Sequence, residues 1–208
     1  MERNFQEKRA DSNKRREKPI LMIVAEGNNV TESTYFKSFQ RQHANYNIKM
    51  IIAKSITDPK GLLKEMQRQW KDKGLSEDKG DMAYIVLDLD CDNSKAELIK
   101  SLSGKAKNIK FVPSNPCFEV WFLLHFKYST HSYNNSSEVI RELKTFIPNY
   151  EKTKDINCTL CPLLEVALEN ANRLSDHYKS LEMEWPSNDC NPMTEVPVII
   201  NKIKELDK

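Results

Sequence analysis

The segments that decide the fold are ILMIVAEG (residues 20–27) and YIVLDLDCD (residues 84–92). Each is a run of apolar residues that leads directly into carboxylates. Continuous apolar runs of this kind are typical of strands buried on both faces, as in a parallel sheet. We therefore predict that both segments are inner strands of an α/β sheet, with acidic side chains at their carboxyl ends.

The rest of the chain extends this pattern in both directions. As far as residue 127, predicted strands and helices alternate, as they do in a parallel sheet with right-handed crossovers. The predicted strands cover residues 20–25, 47–53, 82–87 and 109–112. Predicted helices are capped by Thr31, start at Asp58-Pro59, and cover residues 94–102 and 117–126. Beyond residue 127 only helices are predicted, over residues 138–146, 162–181 and 195–206.

These elements predict an α/β fold with a mainly parallel sheet flanked by helices and a helical C-terminal extension. Residues 19–127 would form the α/β domain, and residues 128–208 would form the extension packed on it. Residues 1–18 contain seven Lys and Arg residues and no apolar periodicity. They predict either a disordered, solvated tail or a basic arm that contacts a phosphate backbone.

Composition excludes some classes of protein. The 208 residues are 39% hydrophobic and 30% charged, which indicates a soluble globular protein. No apolar run approaches the roughly 20 residues of a membrane helix, and the N-terminus has no apolar signal region. Five cysteines, an odd number, favour reduced thiols and a cytoplasmic location. The net charge of +2 does not by itself indicate nucleic acid binding, and a homo-oligomer is left open.

The acids at the strand ends are the candidate functional residues. Asp88 and Asp90 lie two residues apart and are expected to face the same side, while Glu26 ends a neighbouring strand. Three converging carboxylates repel each other unless cations or protons neutralise them. They suit a hard cation such as Mg²⁺ or Mn²⁺, which would hold a phosphodiester and activate water. The alternative is that these acids only end the strands and are solvated.

The same residues resemble the Toprim fold, in which a Glu follows the first strand and an Asp-x-Asp follows the third. Four segments, in order, also resemble the RloB-like proteins of bacterial phage-defence (abortive-infection) loci. They are VAEGNNVTESTYF (24–36), VLDLDCD (86–92), SNPCFEVWFLLHF (114–126) and NPMTEVPVIINKIKEL (191–206). The resemblance covers residues 20–206, and SNPCFEVW is its most specific part. The spacing from Glu26 to Glu32 is one residue longer than in the shorter version of the family motif, and NPMT replaces NPST.

The resemblance implies a metal-dependent nuclease that acts on DNA or RNA, often encoded beside an AAA-type ATPase that would control it. The implied metal ligands are Glu26, Asp88 and Asp90, and Glu119, Glu32 and Asp92 are further candidates by their positions in the sequence. Lys152 and Lys154 are candidates to stabilise a transition-state phosphate. The residues alone leave other roles open: Glu119 also suits a helix dipole, Asp92 a loop, and Lys152 a solvated loop. A non-catalytic adaptor subunit that binds the ATPase is the competing function.

Two other patterns are weaker. Cys158-x-x-Cys161, with His177 and Cys190 downstream, lacks the second ligand pair that a zinc site of this type requires. His125 lies in an apolar run and is predicted to be a packed core residue rather than a catalytic base.

Overall fold

The computed structural model describes residues 18–27, 30–53, 56–105 and 108–208. Its centre is a five-stranded sheet in the order β2-β1-β3-β4-β5. The first four strands along the chain are parallel, and β5 pairs antiparallel with β4. The strands are β1 (Ile20–Ala25), β2 (Asn47–Ile52), β3 (Met82–Asp88), β4 (Ile109–Asn115) and β5 (Met193–Thr194). The prediction of a mainly parallel α/β sheet is therefore confirmed.

Helices flank the sheet. In the described ranges they are α1 (Val30–Lys37), α2 (Pro59–Asp72), α3 (Asn93–Leu102), α4 (Glu119–Leu124), α5 (Ser136–Phe146), α6 (Asn157–Leu160), α7 (Leu164–Ser180) and α8 (Val196–Leu206). Short 3₁₀ turns cover Glu77–Lys79 and Cys161–Leu163. Within the same ranges, none of the helices combines the length and the apolar character needed to cross a membrane.

The central strands are apolar throughout because their side chains alternate between two cores, one on each face of the sheet. One core includes Leu21, Ile23, Tyr84 and Val86. The other includes Met22, Val24, Ile85 and Leu87. Burial on both faces explains why these strands are continuous apolar runs in the sequence.

Helix α2 begins where the sequence predicts, at Asp58-Pro59. Asp58 is its N-cap, and the Asp58 side chain accepts a hydrogen bond from the Gly61 N–H at 2.7 Å. Pro59 occupies the first turn, where a missing N–H costs nothing. Leu62, Leu63 and Met66, on one face of the helix, are buried.

Three details of the predicted helices are wrong. Thr31 lies inside the first turn of α1, and its hydroxyl donates to the Lys152 carbonyl at 2.8 Å instead of capping the helix. The helix predicted over residues 117–126 is shorter, Glu119–Leu124, because β4 extends to Asn115. The helix predicted from residue 162 begins at Leu164, after the 3₁₀ turn that contains Pro162.

The C-terminal residues complete the sheet through β5, which was not predicted. Met193 and Thr194 pair with Asn115 and Ser114, and the hydroxyls of Ser114 and Thr194 hydrogen-bond at 2.7 Å. A two-residue strand carries no alternating pattern, so periodicity could not reveal it. Buried residues of α7 and α8 belong to the same core as β1, so one core joins the two predicted parts. Residues 1–17 of the predicted basic arm lie outside the described residues.

Candidate functional site

The site residues lie where the parallel strands end. Ala25, the last residue of β1, is in register with Val86 of β3, and Asp88 is in register with Ser114 of β4. Glu26 directly follows Ala25, so the strand pairing itself brings Glu26 to the same edge of the sheet as Asp88. This is the carboxyl edge, where open α/β sheets bind their ligands.

The chain turns sharply after Asp88. Leu89 is fully buried, and its N–H donates to the Ser114 carbonyl at 2.8 Å. Asp90 and Cys91 then adopt left-handed backbone conformations, with φ of 54° and 59°. The expectation that Asp88 and Asp90 face the same side of one strand is therefore wrong. The strand ends at Asp88, so the two-residue repeat of a strand no longer applies at Asp90.

A lysine bridges the Asp90 and Glu26 carboxylates. The Lys95 ammonium contacts Glu26 Oε2 at 2.9 Å and Asp90 Oδ2 at 3.1 Å. We call Glu26, Lys95 and Asp90 the outer group, because the Asp90 side chain is 58% exposed. Sequence reasoning missed Lys95; the signal that could have found it is its place in the first turn of the helix that follows the Asp-x-Asp turn.

Asp92 has a structural role at the start of that helix. It is the N-cap of α3, and its Oδ1 accepts hydrogen bonds from the N–H groups of Ser94 at 2.8 Å and Lys95 at 3.4 Å. These bonds satisfy two of the free N–H groups of the first turn. The structure thus supplies a sufficient reason for an acid at position 92 without a metal ion.

Asp88 lies close enough to Asp90 of the outer group for the charge of Asp90 to act on it, but it has a different hydrogen-bond partner. Its Oδ1 accepts a hydrogen bond from the Phe118 N–H at 2.8 Å, at the start of α4. Asp88, Glu32, Glu119 and Lys152 interact electrostatically with one another, and we call them the inner group. The sequence elements that build it are the end of β3, the first turn of α1, the first turn of α4 and the loop after α5.

Glu119 is the most buried member, with 1% of its surface exposed. Its Oε1 accepts a hydrogen bond from the Tyr150 hydroxyl at 3.0 Å and lies 3.3 Å from the Lys152 ammonium. Its Oε2 is buried and has no hydrogen-bond partner among the described residues. An unpaired buried carboxylate oxygen is costly, so this atom marks a place where a ligand would be favourable.

The inner group carries more negative charge than its one lysine balances. Burial raises the pKa of Asp88 well above its usual value, and the nearby Glu119 and Glu32 raise it further. Burial likewise raises the pKa of Glu32 to about 7, with a further contribution from Glu119. Burial opposes the charge of Lys152, but Glu119 and Asp88 outweigh it and raise its pKa. Protons or an added cation must therefore compensate these acids.

A ready-made metal centre is not present in this arrangement. In the part of the chain that the structure describes, the His, Cys, Asp and Glu side chains form no group of three or more placed to hold one metal ion. The Lys95 ammonium lies between Glu26 and Asp90, and Asp88 accepts a hydrogen bond from Phe118, so the shared binding of one ion by these three acids stays a prediction. The donor type still fits a hard cation, since every candidate ligand offers carboxylate oxygens.

The remaining sequence patterns have simpler roles. His125 is buried, and its Nδ1 donates to the Trp121 carbonyl at 2.9 Å, which confirms it as a packed core residue. Burial lowers the pKa of His125 to about 4. Cys158 and Cys161 are exposed and free, whereas Cys117 and Cys190 are buried.

The fold and the site together define an α/β protein with a cluster of acids at the carboxyl edge of a mainly parallel sheet. The family model of RloB-like proteins matches residues 21–203, nearly the whole chain. The chain therefore belongs to the RloB-like family. Searches of curated proteins and of solved structures found no match.

Proposed function

We propose that this RloB-like protein is a divalent-metal-dependent nuclease of Toprim type. It would hydrolyse phosphodiester bonds of DNA or RNA in anti-phage defence, under the control of a partner ATPase. The observation that supports this most strongly is the buried Glu119 carboxylate, one oxygen of which has no partner among the described residues. It lies among acids that are more numerous than the lysines beside them.

Mg²⁺ or Mn²⁺ fits this set of ligands in kind and in charge. Glu26, Asp88 and Asp90 would hold the ion, assisted by Glu119 and Glu32, and the ion would lower the pKa of a bound water and offset phosphate charge. Two further groups of the protein would assist the reaction. The half-exposed Lys152 ammonium would offset negative charge that develops on the phosphate in the transition state. The Phe118 N–H would hold the Asp88 carboxylate in one orientation.

The cellular setting is part of the proposal. All five cysteines are free, as expected of a protein from a reducing compartment, which supports a cytoplasmic location. The partner ATPase and the defence role are supported by the membership of the family alone.

One observation favours the competing function, a non-catalytic adaptor subunit. The Lys95 ammonium already compensates Glu26 and Asp90, so the outer group is stable without a metal ion. An adaptor would bind the ATPase and cleave nothing. The inner group argues against this function, because an adaptor has no use for buried acids that repel each other.

A cleavage assay separates the two functions. Purified protein, with and without the neighbouring ATPase, is incubated with labelled DNA and labelled RNA in Mg²⁺, Mn²⁺ or EDTA. We expect cleavage that requires the metal ion and that is lost in Glu119→Gln. The matched control is Glu97→Gln, an exposed acid paired with Lys100 on α3, which should cleave normally. Absence of cleavage under all conditions, together with tight binding to the ATPase, would support the adaptor.

A further inference from the structure

Lys95 is unusual for a lysine at the rim of a site. Its side chain is 13% exposed, less than the two carboxylates it contacts, which are 24% exposed for Glu26 and 58% for Asp90. Lysine is among the residue types least often buried, because its ammonium is strongly hydrated. The low exposure of the Lys95 side chain, with its ammonium in contact with two acids, therefore has a local cause.

The cause lies in the sequence that follows β3. The left-handed turn at Asp90 and Cys91 reverses the chain, and the Asp92 cap starts α3 immediately afterwards. Lys95 is consequently held in the first turn of α3, with its own N–H bonded to the cap. The first turn of a helix is an unfavourable place for a cation, since the helix dipole is positive there. The contacts with Glu26 and Asp90 must outweigh that cost.

The carboxylates need such a cation. Glu26 and Asp90 come from different strand ends and meet the same nitrogen atom, so without a positive charge between them they would repel each other. The Lys95 ammonium supplies that positive charge, 2.9 Å from Glu26 Oε2 and 3.1 Å from Asp90 Oδ2.

We propose that Lys95 is a positioning residue that takes the place of a divalent cation between Glu26 and Asp90. It holds the two carboxylates together while the metal site is empty, and it must leave them before they can bind a metal ion. Lys95 therefore sets the metal affinity of the site. This inference rests on the proposed metal-dependent function.

The test compares Lys95→Met with wild type and with Lys100→Met, a lysine on the same helix that pairs with Glu97. Melting temperatures are measured in EDTA and in saturating Mn²⁺, and Mn²⁺ affinity is measured by titration calorimetry. In EDTA, Lys95→Met should melt below wild type, because two acids are left uncompensated. In Mn²⁺ the difference should vanish or reverse, and the affinity for Mn²⁺ should be about fivefold higher than in wild type. Lys100→Met should match wild type in every measurement.

The outcomes separate the two proposals. If wild type binds Mn²⁺ but Lys95→Met melts lower by the same amount in EDTA and in Mn²⁺, with unchanged affinity, Lys95 is an ordinary salt-bridge residue and the inference is overturned. If wild type shows neither Mn²⁺ binding nor a Mn²⁺-dependent rise in melting temperature, the metal-dependent function itself is wrong, and the inference falls with it.

Discussion

The outer and inner groups share an edge of the sheet but handle negative charge differently. In the outer group two partly exposed acids face one lysine, and water can screen the negative charge that the lysine does not neutralise. In the inner group three acids face one lysine, and burial raises the pKa of Asp88 and Glu32. The comparison teaches that the inner group, which has more acids for each lysine and carboxyls whose pKa is raised by burial, has the greater need of protons or a cation. The predictions below test that difference, from the largest expected effect to the smallest.

The largest effect is expected from Asp88→Asn, which removes the charge of the inner group's strand-end acid. The asparagine oxygen can still accept the Phe118 N–H, so the local hydrogen bond is kept. Cleavage should fall by at least about 100-fold if Asp88 holds a metal ion. The melting temperature in EDTA should not fall, because a partly buried carboxylate that repels its neighbours has been removed.

The control for this variant is Asp176→Asn, which changes an exposed acid paired with Lys179 on α7. It should leave both cleavage and melting temperature unchanged. An Asp88→Asn protein that melts several degrees earlier in EDTA and still cleaves would show that Asp88 is a structural acid.

Much of this site could be predicted from the sequence, for reasons visible in the structure. Glu26 and Asp88 follow strands that are buried on both faces, and such strands are the strongest pattern in the chain. Register then brings their ends together. The separation of Asp88 from Asp90 could not be predicted, because it depends on two non-glycine residues with positive φ. Lys95 and Tyr150 were missed because the local sequence does not indicate which side chain contacts an acid that is distant along the chain.

The second prediction concerns Asn115, which joins the turn after β3 to the segment before β5. It is fully buried, and its Oδ1 accepts from the N–H of Cys91, the residue after Asp90. Its Nδ2 donates to the carbonyls of Asn188 at 3.2 Å and Cys190 at 3.0 Å. Asn115→Ala leaves these groups unsatisfied and should lower the free energy of unfolding by about 2–4 kcal/mol, measured by urea denaturation.

Asn172→Ala is the matched control, since it changes an exposed asparagine on α7 and should alter stability by less than about 0.5 kcal/mol. Equal stabilities for the two variants would mean that Asn115 does not hold the turn after β3.

A smaller effect is expected from Tyr150→Phe in the inner group. Tyr150 is 1% exposed, and its hydroxyl donates to Glu119 Oε1 at 3.0 Å. Its loss should lower the free energy of unfolding by about 1–2 kcal/mol, measured by denaturant titration in EDTA. Tyr128→Phe removes a hydroxyl elsewhere while keeping the ring against which Arg173 packs, and should have little effect. A Tyr150→Phe protein as stable as wild type would show that Glu119 does not depend on this bond.

The smallest effect is a pH dependence of stability that comes from Glu32 in the inner group. The pKa of Glu32 is about 7 in the folded protein, against 4.5 as the ordinary value, so its contribution to stability is fully present below pH 4.5 and is lost as the pH rises through 7. In EDTA, the stability of wild type relative to Glu32→Gln should therefore fall by about 1 kcal/mol between pH 6 and pH 8. The measurement is the difference in unfolding free energy between the two proteins at each pH. The exposed Glu97 provides the comparison, because Glu97→Gln should track wild type across the same range. A Glu32→Gln protein whose stability runs parallel to wild type from pH 6 to pH 8 would place the Glu32 carboxyl in water, and the contrast between a buried inner group and a screened outer group would then be lost.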